Sequence, residues 1–469
     1  MKTKNLWAWA VTLTFTLSCA ADHFAGRSRF TDEEIENLLR QTYRYVSTYI
    51  YMSELVNGTG ISTRGWNKLY KPKKIRDERE KIWLYPNDDA LYLVGALDMR
   101  NHPVVISFPA LSCDYASMRV FSFDSSMQVP LSSRHGHFAK DETVLFYSDR
   151  TKNMPKDDMP FIDHFVKVSG DFAIAVLIVV PDLTEKKSLS QSAKAVRKTE
   201  LDLLPQYLEI GYREEKLPRF IKAKSFDEAV QKNYLHILQF TFNFLSFDEN
   251  LPLDQNALDT AYKFGVVPQQ SPYSRRIFKI KREQISKALE KIKTQQFIKF
   301  NGMTHQGMSK LYLPKENMTS ELMLMQAVCA PLSLPANEYL NIKIKTKDEQ
   351  SMDGRFEYTL WMPPSSLPPA IGPWSFMSYH SESGKLVFSH DKKYSVGTNT
   401  GMQPDALGNL KIYISGTKPA SVPPANWLPL KAEDRDVEMV LRIYAPDLQA
   451  FENWNAPQIE KILKAPNNP

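Results

Sequence analysis

Asn87, Asp88 and Asp89 set an amide and two carboxyls directly before the apolar run 91–94. Two carboxyls facing one another across a cleft can divide general-acid and general-base work on a glycosidic bond. The competing reading is a turn whose Asx side chains bond their own amides. A plain turn needs only one or two such residues, so three together point to a functional or domain-contact surface. An aspartate buried there needs donors, with Arg134 and Arg442 as candidates, because an unpaired buried charge is severely destabilising. His135 and His137 flank Gly136. On a strand, residues i and i+2 share a face, so both imidazoles can reach one ion. Gly136 and the preceding Ser132-Ser133-Arg134 mark a turn instead, and no metal ligand or cofactor is assigned. His380-Ser381-Glu382-Ser383-Gly384 holds the residue types of a hydrolytic triad but reads as a tight turn between strands. The chain has no Gly-x-Ser-x-Gly elbow, Walker loop, dinucleotide glycine fingerprint, Cys-x-x-Cys or His-Glu-x-x-His.

The elements that must position these residues fall into blocks. Thr31 with Glu34 forms a capping box for a helix over 31–55, in which Tyr43, Tyr45, Tyr49 and Tyr51 read as a packed face. From 81 to 184 the hydrophobic period drops to two, with strands at 82–85, 91–94, 104–108, 118–121, 144–147 and 173–180. Turn residues, Pro103, Pro109, Pro130 and Gly136 among them, separate these strands. Residues 185–334 read as a mainly helical connection, with helices at 188–204, 225–247, 254–264 and 282–297. Strands return at 339–344, 355–362, 375–379, 385–389, 410–414 and 438–444. The expected fold class is mainly β with a helical connecting region (α+β), comprising two β-sandwich or jelly-roll-like domains at 81–184 and 335–469. A helix and loop at 22–80 precede them.

Lys2, Lys4, an uncharged run from Leu6 to Leu17 and the small residues 18–21 have the anatomy of a signal peptide, residues 1–21. The run is too short to span a bilayer, which takes roughly 20 residues. Leu17-Ser18-Cys19 resembles the end of a bacterial lipobox, in which Cys19 is acylated and anchors the chain. Thr16 departs from the usual Leu, and cleavage after Ala21 is the other reading. The expected location is therefore periplasmic, outer-membrane-associated or secreted, with no transmembrane span after signal removal. The 469 residues carry 59 Lys+Arg against 53 Asp+Glu, and the +6 balance leaves no footprint for nucleic acid. With 43% hydrophobic residues the chain can build sizeable cores. Cys113 and Cys329 read as two separate buried thiols. A homo-oligomer stays open.

Two stretches resemble a bacterial and algal family built from tandem domains of unknown function 1254 and 1214. The first is Asn87-Asp88-Asp89-Ala90-Leu91-Tyr92 with Asp98, Pro103, Val104 and Val105, joined by Asp114-Tyr115, Ser133-Arg134 and Gly136. The second comprises Leu367-Pro368-Pro369, Trp374-Ser375, Tyr379, Lys393-Tyr394-Ser395, Asn426-Trp427-Leu428-Pro429, Arg442-Ile443-Tyr444-Ala445-Pro446, Trp454 and Pro457. Ala90, Pro373 and Leu407 depart from the Thr, Phe and Asp usual at those places. The resemblance spans roughly 35–463 and implies an all-β N-terminal domain, a helical connection and a jelly-roll-like C-terminal domain. It brings no settled reaction.

Trp374, Trp427, Tyr444 and Trp454 can plug the end of a sandwich, with Asn426 fixing a turn and Arg442 capping carbonyls. The same residue types form sugar sites, where indole faces pack on the pyranose and Asn, Asp and Arg bond hydroxyls. The ligand-binding candidates are thus Asn87, Asp89, Tyr92, Arg134, Trp374, Asn426, Trp427 and Arg442. The leading expectation is an exported protein that recognises or processes a glycan or other polyhydroxy compound. Its rival is a non-catalytic envelope assembly protein that holds a partner through apolar aromatic faces. No catalytic residue is assigned. An enzyme would show two carboxyls roughly 5–10 Å apart in an aromatic-lined cleft.

Overall fold

Thr31 opens the first helix with the reciprocal cap its sequence predicts. Its amide donates to Glu34 Oε2 at 2.8 Å, and its Oγ1 accepts the Glu34 amide at 3.1 Å. The helix, α1 (Asp32–Asn57), buries Leu38, Leu39, Tyr43, Tyr45 and Tyr49, so the tyrosine series is a packed face. The computed structural model describes residues 29–57, 65–72, 75, 87–155, 158–213, 219–221, 225–271, 274–303, 305–389 and 392–462. The signal peptide, Cys19 and the strand expected at 82–85 lie outside the described residues.

Among the described residues nine strands build the first β-domain: β1 (Lys68–Tyr70), β2 (Leu91–Asp98), β3 (Val104–Phe108), β4 (Tyr115–Ser122), β5 (Met127–Ser132), β6 (Glu142–Tyr147), β7 (His164–Lys167), β8 (Phe172–Val180) and β9 (Glu200–Leu203). They form a five-stranded sheet, β1-β2-β8-β4-β5, packed on a four-stranded sheet, β7-β6-β3-β9. Leu93, Ile106, Met118, Phe146 and Leu177 fill the space between the two. The alternate residues Val94, Ala96, Phe121, Ile174 and Val176 face a layer of helices on the other side. Both faces of the five-stranded sheet are therefore covered, which is why β8 is an unbroken apolar run instead of an alternating one.

After α2 (Lys186–Lys198), that layer is completed by α3 (Phe226–Asn243), α4 (Pro252–Lys263), α5 (Arg282–Asn301) and α6 (Ser320–Cys329), packed around α1. Ser225 caps α3 by accepting the Glu228 amide at 3.1 Å. Gly265 ends α4 at φ 78°, and a Cβ there would stand 1.9 Å from the Arg276 carbonyl oxygen, so only glycine fits.

The C-terminal sandwich contains β10 (Tyr339–Ile344), β11 (Glu357–Met362), β12 (Trp374–His380), β13 (Ser395–Gly397), β14 (Leu410–Ser415), β15 (Trp427–Pro429), β16 (Val437–Tyr444) and β17 (Ile459–Ile462). Its sheets run β10-β16-β12-β13 and β15-β14-β11-β17, with Leu360, Phe376, Ile412, Leu441 and Ile443 between them. The fold is mainly β with a helical region, α+β, and among the described residues none of the four sheets closes into a barrel.

Several expected boundaries move. The helix expected to reach 204 stops at Lys198, and Glu200–Leu203 turns back as β9 to pair with β3. The first β-domain therefore extends past 184, and β1 extends it before 81. Pro130, expected in a turn, lies inside β5, an edge strand, at the register shift where the pairing with β4 jumps from Leu131 to Gln128, a place that tolerates proline. At 385–389 no strand forms; Leu386 makes a single bridge to Tyr379. Cys113 and Cys329 are separate free thiols as expected, though half-buried instead of fully buried, and desolvation pushes each up to about 12. Among the described residues no helix is long and apolar enough to cross a membrane.

Candidate functional site at the junction of the two sandwiches

Alternation along β12 and β16 sorts their side chains between two environments. Trp374, Phe376, Leu441 and Ile443 point into the C-terminal core, so Ser375, Tyr379, Arg442 and Tyr444 point outward. Outward here means toward the first β-domain. The segment leading into β2 lies against this face, with Asn87 and Asp89 each 1% exposed. Ala90, Tyr115, Ile178 and Val180 of the first domain pack with Tyr444 and Ala445 of the second and close an apolar collar around the contact.

Within the collar, ring packing of Tyr444 on Tyr115 and Tyr339 is joined by a dense set of polar contacts. Asp89 Oδ2 accepts the Ser375 hydroxyl at 2.6 Å and Oδ1 accepts the Tyr444 hydroxyl at 2.9 Å, while Asn87 Nδ2 donates to the same phenol oxygen. Asp88 Oδ2 accepts from Ser395 Oγ at 3.3 Å. Arg442 donates to the Tyr379 hydroxyl from Nη2 at 2.7 Å and from Nε at 3.1 Å, and to the Tyr339 hydroxyl from Nη1. Tyr92 completes this ring beside Arg442 and Tyr444. A neighbouring knot centres on Glu338, whose Oε2 accepts from Tyr115 at 2.6 Å and from Ser132 at 2.7 Å. Arg134 Nη1 reaches Glu338 Oε1 at 3.5 Å.

Burial sets the electrostatics. Desolvation, reinforced by the neighbouring Asp89 charge, pushes the Asp88 carboxyl up to about 7, although Ser395 and Arg442 pull the other way. Asp89 is raised by burial too, with Arg442, Ser375 and Tyr444 opposing. Burial works against the Arg442 guanidinium, but the phenols of Tyr339, Tyr379 and Tyr444 around it more than offset that, and it stays charged. The junction thus holds a fixed cation and a carboxyl poised to exchange a proton near neutrality.

Of the eight candidates, Asn87, Asp89, Tyr92 and Arg442 come together, and Arg134 stands at the edge through Glu338. Trp374 does not join them. It is buried in the sandwich core edge-to-face with Phe376, 5.7 Å between ring centres. Asn426 and Trp427 belong to the opposite sheet. The Asn426 amide accepts from the Gln403 amide at 2.8 Å and donates to the Gln403 and Lys411 carbonyls, which fixes a loop. Trp427 Nε1 donates to Ser415 Oγ at 3.1 Å. Both are scaffold as far as the junction is concerned. Asp88, weighed in the sequence only as an acid or base beside Asp89, joins the cluster, and Ser375, Tyr339 and Glu338 are site residues that the sequence reading does not single out; the spacing Arg442-x-Tyr444 on one strand is the available sign of a polar face. A groove of about 590 Å³ between α1 and α5 lies elsewhere, and its charges already pair as Asp32–Lys287 and Glu36–Lys291.

Two sandwiches flanked by a helical layer and locked by a buried carboxylate–arginine–tyrosine cluster define a two-domain, β-rich protein whose singular feature is its junction. The chain matches in tandem the model described as protein of unknown function DUF1254, at residues 66–199, and the one described as protein of unknown function DUF1214, at 338–448, which is the arrangement the sequence resembles. The crystal structure of the VPA0106 protein from Vibrio parahaemolyticus is similar, with a TM-score of 0.71 at 17% identity over 92% of this chain and 100% of the other. A putative uncharacterized protein from Burkholderia cenocepacia matches at a TM-score of 0.45 and 12% identity, over 92% of this chain and 93% of its own. No curated protein matches the chain.

Proposed function

We propose that this is an exported protein that recognises a small polyhydroxy compound at the junction of its two sandwiches. The observation that carries the reading is a set of buried polar atoms at the junction without partners among the described residues. Asp88 Oδ1 and Asn87 Oδ1 are acceptors lacking donors, and Arg119 Nε is a donor lacking an acceptor. Each such atom costs about 1–3 kcal/mol unless something bonds it. A hydroxyl group donates and accepts at once, so a ligand bearing several hydroxyls matches a site that needs both. The tyrosine rings supply the apolar faces against which a sugar or polyol carbon skeleton packs.

The test is an array of glycans and polyols probed with the mature protein. Hits are expected to weaken at least tenfold on Asp88→Asn and to survive Trp427→Ala, whose side chain lies on the far sheet. An array without hits, or hits indifferent to Asp88→Asn, would remove the reading. Export is tested separately by mass spectrometry of the envelope fraction. The expected species starts after Ala21 or at an acylated Cys19, and an intact Met1 peptide on the major species would contradict it.

A second reading, envelope assembly, draws on a different surface. Trp361 of β11 is 53% exposed and shares the outer face of its sheet with Tyr413 and Trp427. An apolar aromatic face of this kind suits a partner subunit. Trp361→Ser separates the two readings, since it would disturb assembly and leave polyol binding intact.

A further inference from the structure

Glu142 opens β6 with its carboxylate under cover. The residue is 4% exposed, and its Oε2 accepts the Phe138 amide at 2.6 Å. Its other oxygen faces two imidazoles: His137 Nδ1 lies 3.4 Å from Oε1 and His164 Nε2 lies 3.3 Å from it. The three donor atoms all fall within 4.8 Å of one another, and the rings stand edge to face with centres 5.1 Å apart.

Three features of the fold bring these residues together. Parallel pairing of β6 with β7 sets His164 opposite Val144, on the same face as Glu142 and one strand away. The 3₁₀ turn Ser133–His135 ends at Gly136, φ 83°, and Phe138 follows at φ 68°, so the chain doubles back over the end of the sheet. Phe138 is itself buried edge-to-face on Phe108, 5.7 Å between centres, which anchors the turn that presents His137. The sequence pairs His135 with His137, whereas the structure leaves His135 exposed and gives His137 different companions.

Tetrahedral zinc with ligands at about 2.0–2.1 Å holds neighbouring donor atoms about 3.3 Å apart. Both imidazole nitrogens stand at that spacing from Glu142 Oε1. The Phe138 amide on Oε2 is the kind of outer hydrogen bond that orients a ligating carboxylate. His137 and His164 are 24% and 29% exposed at their side chains, so an ion has a path from solvent and one coordination position faces outward. Two nitrogens and one carboxylate oxygen suit zinc and its transition-metal neighbours better than magnesium or calcium, which take all-oxygen sets. We propose that His137, Glu142 and His164 form a binding site for a divalent transition-metal ion of the zinc class, with a solvent-facing position open to water or a ligand. The site lies outside the junction cluster, and neither proposal depends on the other.

The test uses the untagged full chain, stripped with chelator, then loaded with zinc sulfate and desalted. Elemental analysis should find one equivalent of zinc, thermal unfolding should shift upward, and cobalt chloride in place of zinc should give visible absorption of a four- or five-coordinate nitrogen–oxygen site. His137→Gln and His164→Gln should each weaken zinc binding at least tenfold, and the double variant should retain none. Both histidines are part-exposed, so these variants are expected to fold. Glu142→Gln is the further check, since its amide oxygen still accepts from Phe138 while the charge is gone. A wild-type chain that keeps no zinc after desalting would overturn the proposal. So would a double variant that keeps the same equivalent, or displacement of zinc by equimolar magnesium.

Discussion

Lys315→Met is expected to destabilise the protein by about 3–5 kcal/mol at neutral pH, among the largest effects of any single side chain outside the apolar cores. Lys315 Nζ stands 2.7 Å from Asp124 Oδ2 and 2.7 Å from Asp254 Oδ2, and Arg44 Nη2 lies 3.9 Å from Asp254 Oδ1. Asp124 belongs to the turn between β4 and β5, Asp254 to α4 and Arg44 to α1. One ammonium thus bolts the helical layer to the first sandwich, and both carboxylates are buried. Burial alone would raise the Asp124 carboxyl, but Lys315 and Ser126 overcome it and bring it to about 2, against an ordinary value of 3.8. A depressed carboxyl adds stability that is fully present above its unfolded value and lost as pH falls through the folded one. The gap between wild type and variant should therefore be full above about pH 4 and shrink toward pH 2. Urea unfolding at pH 7 and pH 2.5 measures it. A difference below 1 kcal/mol at pH 7 would show that the pair contributes little.

Asp88→Asn should act in the opposite direction. The folded carboxyl stands at about 7, against an ordinary 3.8. Between those values the folded chain holds a proton that the unfolded chain has released, so wild-type stability falls as pH rises and levels off above 7. The loss approaches about 4 kcal/mol as an upper bound, at 1.36 kcal/mol per pH unit. Asparagine mimics the protonated acid and has no such dependence. The variant should match wild type near pH 4 and exceed it at pH 8, a gap that chemical unfolding at pH 4, 6 and 8 can follow. A gap that stays flat across that range would mean Asp88 does not titrate as its surroundings dictate.

Much of the architecture was legible in residue pattern. The capping box at Thr31 and Glu34, the apolar run of β8 and the alternation of β16 each carry their own local physics. Short elements escaped because their signals are weak or contradictory. Glu-Leu-Asp-Leu directly after a helix does not announce β9, and Pro130 argues against β5 unless its edge position is known. At the site, the crowding of Asn87, Asp88 and Asp89 was readable; the hydrogen bonds to the two carboxyls come from Ser375, Tyr444 and Ser395, while Arg442 bonds Tyr339 and Tyr379 and acts on Asp89 as a nearby charge. Which side of a sheet a residue faces was not. Trp374 and Ser375 are neighbours, yet the aromatic one lies in the core and the small one touches Asp89. Period-two alternation separates such residues into two sets without saying which set meets the partner domain. The His137, Glu142 and His164 grouping was hidden for a further reason, since parallel pairing of β6 and β7 and a positive φ at Phe138 create it.

The most direct test of the central claim is a crystal structure of the protein with the tightest polyol or glycan found on the array. The account predicts ligand density at the junction, with hydroxyls bonded to Asp88 Oδ1 and Asn87 Oδ1 and a carbon face against the tyrosines. Density for the ligand on the outer aromatic face around Trp361 and Trp427, with ordered water alone satisfying Asp88, would contradict it.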